Sequence, residues 1–107
     1  MIHKTAIIDT EAKISENVKV GPYSVIGPHV KIGENSIIAG QVGIAGSSII
    51  GNNVKIGGQA GISGHLNIGD NVEIGGGSGV IKNIPANSKV MGYPAKNIRE
   101  FLRDNKW

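Results

Sequence analysis

Few side chains in this 107-residue sequence can do chemistry, and those that can are regularly spaced. His29, Ser47 and His65 follow one another at intervals of eighteen residues. Tyr23, Gln41 and Gln59 repeat the interval, six residues earlier. Imidazole changes protonation near neutral pH, so His29 or His65 can serve as general base for an amine or hydroxyl nucleophile. Tyr23, Gln41 and Gln59 can bind a polar substrate, or hydrogen-bond to one another along the same interval. For either His alone the competing account is occupancy of a recurring turn slot, which Asn, Gln and Ser fill elsewhere. The sequence has no Cys, so disulfides and thiolate metal sites are excluded.

What positions these residues is a repeat. Every sixth residue from Ile2 to Val80 is Ile or Val, fourteen in succession, although these types make up only about a quarter of the chain. Four places after each comes a smaller or branched residue, from Ala6 to Ser78, and one place after stands mostly Gly or Ala. Neither a helical period nor simple alternation gives this pattern. A second period of eighteen runs through Asn17, Asn35, Asn53 and Asn71, through Gly40, Gly58 and Gly76, and through Gly43, Gly61 and Gly79. Three hexads therefore close one triangular coil, and coils stack at the ordinary strand spacing of about 4.8 Å. The expected fold is all-β: a parallel β-helix of about five coils, Ile and Val inward, with Asn or Gly in the left-handed conformation at the corners.

The corners differ chemically. One carries Glu16-Asn17, Glu34-Asn35, Asn52-Asn53 and Asp70-Asn71 and faces water. The other two are stripped by Gly40, Gly58, Gly76, Gly46 and Gly64, and the wall between them is flattened by Gly43, Gly61 and Gly79. Turning does not require this, since the first corner turns on Asn. Close approach by a ligand arm or a neighbouring subunit is the expectation, with turn economy as the alternative.

The coil is expected to end at Ile84-Pro85-Ala86-Asn87-Ser88, dividing the chain into a β-helix over 1–90 and an exit loop with a short C-terminal α-helix over 91–107. Pro94 suits a first helical position, and Ile98, Phe101 and Leu102 recur at helical spacing. Residues 82–107 carry a net charge of +4 and the preceding 81 residues −1. That basic quarter, which includes Lys106, fits phosphates, an acidic protein or a solvated helix face. Nucleic acid is disfavoured because stacking aromatics are not interleaved. The opening lacks the apolar stretch of a signal peptide and no run is long enough to span a bilayer, so the expected location is cytoplasmic.

The hexads resemble those of the left-handed β-helix acyltransferases. The segment Ala39-Gly40-Gln41-Val42-Gly43-Ile44-Ala45-Gly46-Ser47, continued through Gly57-Gly58-Gln59-Ala60-Gly61-Ile62-Ser63-Gly64-His65, is similar to the C-terminal half of the UDP-3-O-acylglucosamine N-acyltransferases of lipid A synthesis. Ile2-His3 and Ala6-Ile7-Ile8 resemble the opening coil of sugar-nucleotide acyltransferases, and Met91-Gly92-Tyr93-Pro94-Ala95-Lys96 the exit of many hexapeptide acetyltransferases.

The resemblance implies a left-handed helix and a homotrimer with active sites between adjacent prisms. It implies acyl transfer to an amino sugar from acyl carrier protein or coenzyme A, the thioester being a co-substrate and not a tightly bound cofactor. His65 falls on the family's second active-site His. At the position of its catalytic His stands Pro28, with His29 one place on. The uridine-binding domain and several coils of the family have no counterpart. The donor arm is expected along Gly43, Gly61 and Gly79, its anionic end near Lys82, Lys96 and Arg99, and the helix beside an acidic carrier protein. Two other functions use the same prism: a catalytically inactive trimeric scaffold, and a γ-carbonic-anhydrase-like zinc site in which Asp70 joins His29 and His65.

Overall fold

The inward Ile and Val positions become rungs of three parallel sheets, each strand only two or three residues long because a corner recurs every six residues. The computed structural model describes residues 1–105; Lys106 and Trp107 lie outside the described residues. The first sheet stacks β1 (Ile7–Ile8), β4 (Val25–Ile26), β7 (Gly43–Ile44), β10 (Gly61–Ile62) and β13 (Gly79–Val80). The second stacks β2 (Lys13–Ile14), β5 (Lys31–Ile32), β8 (Ile49–Ile50) and β11 (Asn67–Ile68). The third contains β3 (Lys19–Val20), β6 (Ile37–Ile38), β9 (Lys55–Ile56), β12 (Glu73–Ile74), β14 (Lys89–Met91) and β15 (Lys96–Asn97). All pairs are parallel except β14 with β15. The expected five-coil β-solenoid with a short C-terminal helix is what the chain forms.

Register follows the eighteen-residue period: Ile14, Ile32, Ile50 and Ile68 pair in line, as do Ile38, Ile56 and Ile74. From Val18 to Val80 the inward Ile and Val residues are buried, each contributing about 1.5–3 kcal/mol of transfer free energy, whereas Leu66 and Val90 are half-buried. The lowest coil is less covered, Ile8 and Ile14 being half-buried and Ile2 exposed.

Corner conformation departs from expectation in one respect. The left-handed residues are Asn17, Asn35, Asn53, Asn71 and Asn87 at one corner, Tyr23, Gln41, Gln59 and Gly77 at the second, and His29, Ser47 and His65 at the third. Gly40, Gly46, Gly58, Gly64 and Gly76 each precede such a residue and are not themselves left-handed. A Cβ at Gly46 would lie 3.1 Å from the Pro28 carbonyl oxygen and one at Gly64 3.1 Å from that of Gly46. Stacking of coil on coil therefore accounts for Gly40, Gly46, Gly64 and Gly76 without a ligand, whereas at Gly58 the nearest atom, the Gly40 carbonyl oxygen at 3.5 Å, is an ordinary contact.

Buried serines tie successive coils together. The Ser24 hydroxyl donates to the Ala39 carbonyl at 2.8 Å and accepts from the Val42 N–H at 3.2 Å. Ser36 does the same with Gly51 and Val54, and Ser48 with Ser63 and Leu66. Each hydroxyl thus enters the turn of the coil above and bridges its first carbonyl to its fourth N–H. Some turns with no serine beneath close on themselves, as in Ala60 N–H to the Gly57 carbonyl at 3.4 Å.

The coil also continues past the stretch expected to end it. Residues 81–84 shorten one turn, so that Ile84 pairs with Ile68 and Val90 with Ile74, sixteen residues apart instead of eighteen. Asn87 extends the Asn column and its side chain accepts from Asn71. The helix α1 (Ile98–Asp104) starts later than Pro94 predicts: Asn97 caps it, accepting from the Arg99 N–H at 2.9 Å. Residues 96–97 are instead used as β15, whose antiparallel pairing occupies the edge of β14. Ile98 and Phe101 are half-buried, whereas Leu102 stays exposed. Among the described residues no helix is long and apolar enough to cross a membrane.

Candidate functional site

Both columns of chemically capable residues border the same wall. The Tyr23, Gln41, Gln59 and Gly77 corner leads into the first sheet, and the His29, Ser47 and His65 corner leads out of it. Left-handed backbone favours Asn, which the corner remote from this wall uses at five levels. The two corners beside the first sheet hold Tyr, Gln, His and Ser in that conformation instead. Tyr, Gln and Ser are not among the residues this conformation favours, whereas His is enriched in it, so turn geometry accounts for the two His as it does for Asn.

The outward positions of the wall are Ile7, Val25, Gly43, Gly61 and Gly79. The outward positions of the second sheet are Lys13, Lys31, Ile49 and Asn67, and those of the third include Lys19, Ile37, Lys55, Glu73 and Lys89. The first sheet thus presents the uncharged face, with Ile7 65 % and Val25 48 % exposed at its lower end. Above them a groove is lined by Val25, Gly43, Ala45, Gln59, Gly61, Ser63, Ser78, Gly79 and Tyr93, among others.

Its glycines are not equivalent. A Cβ at Gly43 or Gly61 would meet nothing within 4 Å, so the chain's own packing does not require glycine there. Gly79 is buried, and a Cβ on it would collide with the Tyr93 ring. Hydrogen bonds from Gly79 N–H to Gly92 and from Ala95 N–H to Gly79 fix the exit segment at this point. Tyr93, 83 % exposed, closes the upper end of the groove, so of the three donor-arm glycines Gly43 and Gly61 form the open floor and Gly79 seats that ring.

On the Gln corner the Gln59 side-chain Nε2 donates to Gln41 Oε1 at 2.8 Å. Gln59 lines the groove; Gln41 joins it only through that bond, and Tyr23 stands lower, 67 % exposed. On the opposite corner His29 and His65 lie outside the lining, which reaches Ala45 and Ser63 on that side. Both imidazoles are exposed. His29 Nδ1 lies 3.4 Å from a carboxylate oxygen of Glu11, one coil below, so Glu11 can orient that ring. Sequence reasoning missed Glu11, although its eighteen-residue offset from His29 is the signal that identifies the rest of the column.

The basic residues expected at the donor's anionic end are divided. Lys82 and Lys96 line a second cleft at the end of the prism with Ile84, Ser88, Asn97 and Glu100, whereas Arg99 lines neither cleft. Lys96 is paired with Asp104, and its hydrogen bond, with Arg103 alongside, holds the Asp104 carboxyl below its ordinary range. The zinc arrangement fails on placement: Asp70 belongs to the Asn corner, where its Oδ1 accepts from the Asn52 N–H at 2.8 Å. Among the described residues no three His, Cys, Asp or Glu side chains gather as a metal site.

Residues 11–46 match the bacterial transferase hexapeptide (six repeats) family. That match covers about a third of the chain, and the six-residue period of the solenoid continues on both sides of it. Among curated proteins, the acyl-[acyl-carrier-protein]–UDP-N-acetylglucosamine O-acyltransferase of Herminiimonas arsenicoxydans is 59 % identical over 29 residues, 27 % of this chain and 11 % of that protein. Among solved structures, Neisseria gonorrhoeae serine acetyltransferase in complex with serine superposes with a TM-score of 0.69 at 33 % identity, over 89 % of this chain and 40 % of that one. A mutant perosamine N-acetyltransferase of Caulobacter crescentus, in complex with coenzyme A and GDP-perosamine, shares the fold at 20 % identity and a TM-score of 0.59, over 90 % of this chain and 54 % of that one. The chain therefore spans about a tenth of that curated relative and about half or less of these two solved chains.

Proposed function

We propose that the first-sheet groove is the donor site of an acyltransferase, which moves an acyl group from a phosphopantetheine thioester to an amino sugar of lipid A type. Acyl carrier protein or coenzyme A supplies the thioester, and the working unit is a cytoplasmic homotrimer. The observation that carries this reading is the open floor at Gly43 and Gly61, which internal packing does not demand, bordered by corners that forgo Asn. An extended arm can approach backbone there without meeting side chains. The comparisons support the same direction: the similar proteins are named for acetyl or acyl transfer, to serine, to perosamine or to UDP-N-acetylglucosamine.

In the reaction, the acceptor's amine nitrogen attacks the thioester carbonyl carbon while an imidazole takes the amine proton. The C–S bond then breaks, and the leaving thiolate recovers that proton from the imidazolium, giving an amide and a free thiol. His65 is the nearer match to the resembled motif; His29 has Glu11 to orient it. A neighbouring prism set against the uncharged face would cover Ile7 and Val25 and enclose the groove, excluding water from the thioester.

The decisive test combines sedimentation, calorimetric titration with coenzyme A and acyl carrier protein thioesters, and acyl transfer to a panel of amino sugars. A trimer that binds a thioester and acylates an amino sugar is the expected result. A monomer at micromolar concentration refutes the assembly. A trimer that binds no thioester refutes the function and leaves the scaffold in its place.

A further inference from the structure

The hydrogen bond between Gln41 and Gln59 leaves a patterned remainder. It uses one N–H of Gln59 and the carbonyl oxygen of Gln41; among the described residues nothing else bonds the Gln41 side-chain NH2 or the Gln59 Oε1. Both residues are exposed, and they stand one coil apart on a corner beside the open glycine floor. The column therefore offers a free donor on one rung and a free acceptor on the next.

We propose that this side-chain ladder holds the two amide groups of a pantetheine-type arm, one at each rung; the inference rests on the acyl-transfer reading of the same groove. Rungs recur at about 4.8 Å along the prism axis. An α-peptide lying along that axis falls out of step, because its amides recur at about 3.3–3.6 Å. A β-alanine spacer adds one methylene, which brings successive amide nitrogens to roughly 5 Å in the extended form by standard bond lengths. A β-alanine-linked diamide thus keeps pace with the coils.

The Gln41 NH2 donates to the carbonyl of one amide, and the Gln59 Oε1 accepts from the N–H of the other. Gly77, one rung higher, has open space around it and lets the arm continue toward the end of the prism. Tyr23, one rung lower, closes the column. Gln41 and Gln59 adopt φ values of 59° and 63°, a conformation in which Asn is more at ease, and the additional reach of Gln is what the choice gains.

The test is calorimetric titration of the wild type, Gln41→Leu, Gln59→Leu and the double variant. The probes are free pantetheine, coenzyme A, a holo acyl carrier protein, and a pantetheine analogue with glycine in place of β-alanine. Each single variant should weaken pantetheine roughly three- to tenfold, the effect of one hydrogen bond, with circular dichroism and assembly unchanged. The glycine analogue should bind the wild type more weakly than pantetheine by a similar factor, and the double variant no more weakly. A merely structural role for the glutamines does not produce that coupling. The same Gln dependence is expected in whichever of coenzyme A and the holo carrier binds more tightly, and that identifies the natural source of the arm. If the variants bind these probes as the wild type does, the ladder is wrong and the acyl-transfer reading stands. If the wild type binds none of the four, both fall. Gln-dependent binding of pantetheine without acyl transfer to any amine supports the ladder and refutes the catalytic reading.

Discussion

Gly61→Val separates the two accounts of the glycine wall, and Gly79→Val is its internal control. A Cβ at Gly61 meets nothing within 4 Å and the residue lies outside the left-handed region, so a branched side chain fits the strand without strain. Replacing glycine there removes unfolded-state freedom worth about 0.4–1 kcal/mol. At about 4–8 °C per kcal/mol for a domain of this size, the midpoint should rise by about 2–8 °C. The same side chain projects into the groove, and crowding a fitted site costs about 1–3 kcal/mol, or a roughly 5- to 150-fold loss of coenzyme A affinity. At Gly79 the new side chain displaces the Tyr93 ring and loosens the exit segment. A cost of about 1–3 kcal/mol should lower the midpoint by several degrees. Thermal melts followed by circular dichroism at one fixed protein concentration, with coenzyme A calorimetry on the same samples, read both effects. If Gly61→Val melts well below wild type, or binds coenzyme A undiminished, the wall is a packing feature and the argument fails.

Ser36→Ala removes the hydroxyl bridging Gly51 and Val54; it should cost about 1–3 kcal/mol, measurable by urea denaturation, and less if that turn closes directly as Gly57 to Ala60 does. Ile50→Asp places an unpaired carboxyl among inward rungs and should cost several kcal/mol; a wild-type melt in that variant would contradict the ladder. His65→Ala or His29→Ala, whichever removes the general base, should slow turnover about 10²- to 10⁴-fold with donor affinity little changed. Because Lys96 depresses the Asp104 pKa, the stabilisation that this pair gives α1 is present above the ordinary carboxylate range and lost as pH falls through the lowered value. An acid titration of helical dichroism should show that loss, and Asp104→Asn should abolish it.

The inward ladder was legible because a six-residue period of Ile and Val admits few other folds, and the triangular coil because Asn17 to Asn71 repeats at eighteen. The wall and its two flanking corners followed from the same register. What the sequence could not distinguish is why a side chain is missing. Gly46 and Gly64 make room for the coil beneath, Gly79 for an aromatic ring fourteen residues on, and Gly61 for nothing in this chain. All four read alike as letters. The shortened turn at 81–84 was hidden because the period changes only once, and β15 because Pro94 imitates a helix start while Asn97 makes the actual cap. The serine bridges were missed for a different reason: the slot they share with Val and Ala signals size, and a hydroxyl's partners lie one coil away.

Stacking at sixteen or eighteen residues makes the prism, thermodynamically, a short one-dimensional array in which each coil is stabilised mainly by the coils directly above and below it. Opening in such an array begins at an end and spreads inward. The end that carries Tyr93 on Gly79 is also the rim of the groove, so fraying there dismantles the site while the lower ladders are intact. Amide exchange should accordingly be fastest in the outermost coils and slowest near Ile32 to Ile50, with the exit segment among the first to open. A ligand seated against Gly61 and Tyr93 then acts as a terminal clamp, slowing exchange at one end of the molecule far more than at the other.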